Sequence, residues 1–60
     1  MKTHFEVAIE GLVEWFNTFT EAKEKYDELL ELGYHEAVLR FVEANHKPLV
    51  WNDRAGAFIC

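Results

Sequence analysis

The chain has 60 residues, half of them hydrophobic and 15% aromatic, with a formal charge of −5. That length is a single small domain spanning 1–60, and the apolar content excludes intrinsic disorder. No run of about 18 apolar residues exists, which excludes a membrane-spanning helix, and no clustered Lys and Arg exist to grip a phosphate backbone, which excludes direct nucleic-acid binding.

The one cysteine, Cys60, is the last residue and cannot staple the fold, which fits a reducing, cytoplasmic setting. Met1 and Lys2 lead into an alternating stretch rather than an apolar leader, so no signal peptide is expected. Residues 4–10 place Phe5, Val7 and Ile9 on one side and His4, Glu6 and Glu10 on the other, a half-buried strand. Glu10-Gly11 predicts a two-residue hairpin loop with Gly11 at positive φ. Leu12 to Asn17 follows as a second strand, with Leu12 and Phe16 on one face and Val13 and Trp15 on the other.

Thr18-Phe19-Thr20-Glu21 is a capping box that starts a helix at Thr18. Ala22, Tyr26, Leu29, Leu30 and Gly33 then fall at helical spacing. Gly33 is the expected stop, with Tyr34 turning back on Leu29. Asp27, Glu28 and Glu31 lie near the helix C-terminus, where each negative charge costs about 0.3–1 kcal/mol.

Residues 34–45 read better as a strand than as a helix. As a strand, Ala37, Leu39 and Phe41 share one face and Val38, Arg40 and Val42 the other. As a helix, Glu36 and Arg40 would pair at i,i+4. Ala44 to Pro48 is a turn into the strand Leu49-Val50-Trp51, Asn52 to Gly56 is another, and Ala57 to Cys60 is either a short last strand or a loose tail. The expected architecture is α+β: an antiparallel four-stranded sheet with one helix packed on it, in the order ββαββ. The alternative joins residues 12–32 into one long helix, giving a mainly helical chain with a C-terminal hairpin. Asn17, Thr18 and Thr20 in mid-helix weigh against it.

No chemistry-bearing constellation emerges. His4, His35, His46 and Cys60 lack metal-ligand spacing and read as exposed side chains, so neither a metal nor a cofactor is expected. Cys60 is too close to the chain end for a fixed nucleophile. The eleven acids read as lying in polar phase or near turns, with little room for a pocket of about 300 Å³ that would desolvate one of them.

Two surfaces stand out instead. Residues 6–36 hold nine acids against two lysines, hence −7, and Glu21, Glu24, Glu28 and Glu31 line the outer helix face. Such a row suits a basic or nucleic-acid-binding protein partner, or serves only to keep the face solvated. The second surface is apolar. One helix covers one face of the sheet, so one of the sets around Trp15, Val38 and Val42 is left uncovered, as at interaction sites.

The stretch Asn17 to Tyr34, NTFTEAKEKYDELLELGY, resembles the strand-to-helix core of small acidic open reading frames of tailed phages. The likeness covers about a third of the chain. It implies an accessory or anti-host protein that binds a host enzyme stoichiometrically in the host cytoplasm. That group shares no defined motif, so no binding residue carries over, and the basic-leaning second half, with Arg40, Lys47 and Arg54, departs from a uniform nucleic-acid mimic. The sequence therefore predicts a non-enzymatic binding or inhibitor protein, with a homodimeric structural or regulatory module as the alternative.

Overall fold

A computed structural model describes residues 3–59. The chain runs β1 (Thr3–Ile9), β2 (Leu12–Phe16), α1 (Phe19–Glu31), β3 (Val38–Glu43), β4 (Leu49–Asn52) and β5 (Ala57–Ile59). The fold is α+β, one helix on an antiparallel sheet. The sheet has five strands rather than the expected four, because Ala57–Ile59 pairs with β4 instead of trailing off. The long-helix alternative is ruled out: Leu12–Phe16 is a strand, and the helix begins only at Phe19.

The strand order is β2-β1-β3-β4-β5. β1 is antiparallel to both neighbours, so β2 and β3 run the same way on either side of it, and α1 carries the chain across β1 between them. Thirteen helical residues rise about 20 Å, enough to return the chain along the length of the sheet. Val7 faces Glu14 on β2 and Leu39 on β3. The β1–β2 loop is Glu10-Gly11, with Gly11 at φ 81°.

Both ends of the helix follow from local sequence. Thr18 is extended at φ −126° and ψ 153°, and its hydroxyl accepts from the Glu21 N–H at 3.3 Å. The same hydroxyl donates to the Glu21 carboxylate at 2.9 Å, so the two residues lock each other. At the other end Gly33 takes φ 101°, and the Tyr34 and Gly33 N–H groups donate to Leu29 O and Leu30 O, the paired bonds of a Schellman stop.

The helix stripe and the strand alternation meet in a small core of Val7, Ala22, Tyr26, Leu29, Ala37 and Leu39. The helix contacts β1, β2 and β3. Towards β4 and β5 the same sheet face is roofed by rings instead. Phe58 packs against Phe5, Phe19, Phe41 and Trp51, with centroids 5.2–5.9 Å apart. Edge and tilted geometries of this kind stabilise beyond the area they bury.

Candidate functional site: the open face of the sheet

Strand alternation sends every second side chain away from the helix. On β1 these are His4, Glu6 and Ala8, on β2 Val13 and Trp15, and on β3 Val38, Arg40 and Val42. Val50 and Asn52 on β4 and Ala57 and Ile59 on β5 share that face. Nothing in the described chain covers this face, and β5 widens it at one edge rather than folding over it. Trp15 is 68% exposed and Val13 50%, with Val50 and Ile59 exposed beside them.

The centre of the face is charged, which the sequence reading missed. Glu6 falls in the polar phase of β1, yet its side chain is only 17% exposed and lies between Arg40 and His4. Arg40 Nη2 lies 3.1 Å from Glu6 Oε1, and His4 Nε2 lies 3.2 Å from Glu6 Oε2. His4, expected as an exposed histidine, is instead stacked on the Trp15 ring at 4.4 Å and 25°. The indole thus lies against the imidazole, although most of it faces solvent. Arg40 pairs across strands with Glu6 rather than along a helix with Glu36, and its Nε is buried without a hydrogen-bond partner.

One cross-strand row carries most of this chemistry. By register, Trp15, Glu6, Arg40, Val50 and Ile59 lie side by side across all five strands. Val13, Ala8 and Val38 form a parallel apolar row. The signal for it was present in the period-2 phase of β1 and β3, which puts Glu6 and Arg40 on the faces they occupy. The β1–β3 pairing that joins them was not readable.

The acidic helix row is less uniform than expected. Glu21, Glu24 and Glu28 line an open groove of about 420 Å³ against β2, with Phe16 and Lys25. Glu21 is engaged in the helix cap, and Lys25 lies 3.3 Å from Glu28 and 3.9 Å from Glu14. Lys23 reaches both Asp27 oxygens, at 2.7 and 2.9 Å. Glu31 does not line the groove. A smaller depression of about 260 Å³ lies between β3 and β4, lined by Phe41, Glu43, His46, Lys47 and Leu49. Among the described residues no three His, Cys, Asp or Glu side chains gather where they could hold a metal ion. Cys60 lies outside the described residues. No described helix is long and apolar enough to cross a membrane.

Comparison with known proteins finds no match among family models, curated proteins or solved structures.

Proposed function

We propose that the chain is a non-enzymatic binding protein that acts by stoichiometric protein–protein contact through the open face of its sheet. The observation that carries this reading is the exposure of Trp15, held by its stack on His4 within an apolar field of Val13, Val38, Val42, Val50 and Ile59. A large aromatic fixed in one orientation loses little conformational freedom on binding, and such residues dominate the energetics of interfaces. Val38 and Val42 flank Arg40 on β3 and extend the apolar field. Inhibition of a host enzyme, which the phage resemblance implies, is one use to which such a face is suited.

A contact through Glu21, Glu24, Glu28 and Glu31 is the weaker reading, because Glu21 and Glu28 already have partners within the chain. Affinity capture separates the two. Partners retained by the parent protein should be lost with Trp15→Ala and Val38→Asp and kept when all four glutamates become glutamine. Loss with the four-glutamine protein alone would move the site to the helix.

A further inference from the structure

We propose that the occupant of the open face is a second copy of this chain, packed face to face about a two-fold axis that runs along the strands between β1 and β3. This rests on the reading of that face as the binding surface and names its partner.

The first argument is the order of side chains in the central row. Trp15, Glu6, Arg40 and Val50 read apolar, acid, base, apolar across four adjacent strands. A two-fold axis between Glu6 and Arg40, lying midway between the stacked sheets, reverses the row in the second copy. Each Glu6 then meets Arg40 of the other copy, and each Trp15 meets Val50. Stacked sheets cross at about 30°, which displaces the row ends but leaves the pairs beside the axis opposed. An interface related by a two-fold must be self-complementary, and this row is.

The second argument is where the charge lies. The chain carries −5, so most ways of bringing two copies together oppose acid to acid. Of the three acids within the strands, Glu6, Glu14 and Glu43, only Glu6 alternates onto the open face, and Arg40 lies 3.1 Å from it there. Sheets stack about 10 Å apart, with each helix on the far side of its own sheet. Face-to-face packing therefore puts Glu21, Glu24, Glu28 and Glu31 of the two copies at opposite ends of the assembly, beyond a Debye length of about 8–10 Å.

The third argument is area. A monomer of 7.1 kDa exposes roughly 4,100 Å², and this chain exposes 4469 Å². The axis between β1 and β3 opposes four strands, β2, β1, β3 and β4, while β5 of each copy overhangs, and a face about 19 Å wide offers on the order of 400–500 Å² per copy. Two copies bury roughly 800–1,000 Å², in the range of weak interfaces, which sets the expectation of a weak, concentration-dependent dimer with micromolar or poorer affinity.

Sedimentation or light scattering over a concentration series tests this. The parent protein should move from 7.1 kDa toward twice that mass in the micromolar range. Glu6→Arg and Arg40→Glu should each weaken the dimer about tenfold or more, since each opposes like charges across the axis. Their equimolar mixture should restore it, because one copy then presents two bases and the other two acids. Should either charge variant fail to fold by circular dichroism, Trp15→Ser at the exposed indole serves in its place and should weaken the dimer tenfold. A parent protein that stays at 7.1 kDa at several hundred micromolar overturns the proposal, as does a dimer indifferent to Trp15→Ser. A monomer that still binds an apolar fluorescent dye, and loses it with Trp15→Ser, overturns only the second copy and leaves the open face as a site for another protein. A monomer without such dye binding overturns both.

Discussion

Asp53 shows how one side chain joins the two layers. It lies in the turn between β4 and β5, accepts from Tyr26 Oη at 3.3 Å and also accepts from Trp51 Nε1. The helix is thereby tied to the part of the sheet it does not cover. Burial pushes the Tyr26 phenol above its ordinary value, and the charge of Asp53, its hydrogen bond and the charge of Asp27 act in the same direction. A phenol whose folded pKa is raised contributes stability that is present below its unfolded value of about 10 and is lost as pH rises through the folded value. The melting temperature of the parent protein should therefore fall more steeply above about pH 10 than that of Tyr26→Phe. Parallel curves for the two proteins would show that this contact adds nothing to the alkaline limit. In the sequence, Asp53 reads only as a turn residue, because its two partners are chosen by how the β4–β5 hairpin sits against α1.

At the scale of the element, the helix is the best-specified part of the chain. Its start depends on Thr18, and Thr18→Ala should cost about 1 kcal/mol, visible as a lower denaturant midpoint with an unchanged slope. An unchanged midpoint would mean that the Glu21 N–H finds an equal acceptor elsewhere. The helix was legible because its signals are local: a cap, a stripe and a glycine stop, all within Thr18 to Tyr34. The strands were legible for the same reason, through the alternation of Phe5, Val7 and Ile9 and of Ala37, Leu39 and Phe41. The fifth strand reads equally as strand or tail, since Ala57, Phe58 and Ile59 are too few to show a period. It is fixed by pairing, with Trp51 opposite Phe58. Of the candidate site, Trp15, Val38 and Val42 were found by asking which face one helix leaves bare. Glu6, His4 and Arg40 were not, because their association depends on the register of β1 against β3 and not on spacing along the chain.

For the molecule as a whole, the layers are thin and the core is small. Among the described residues only Val7 and Leu39 of the larger side chains are fully buried, each about 1% exposed and each opposite the other at the sheet centre. Sixty residues support a net stability of roughly 3–9 kcal/mol. Leu39→Ala, at about 2–5 kcal/mol, should remove a large share of it and lower the melting temperature by roughly 10 °C or more. A variant that keeps the parent's melting temperature would show that the aromatic roof of Phe5, Phe19, Phe41, Trp51 and Phe58, rather than the layer beneath α1, carries the stability.

The central position of β1 also sets the order in which the chain assembles. The β1–β2 hairpin and α1 are built from near neighbours, but the ladder that joins Phe5 to Phe41 must close a loop containing both of them. Local pieces form quickly and distant pairings slowly, so docking of β3 on β1 should be the slow step of folding, and Leu39→Ala should slow refolding if that contact forms in it. Until Val38–Glu43 arrives, β1 has one bare edge, and Val7 and Phe5 face solvent or an unanchored helix. A nascent chain that has emerged only as far as Gly33 therefore presents an apolar strand edge to its surroundings, and it is at this stage, before the fold is complete, that the molecule is most prone to pair with the wrong partner.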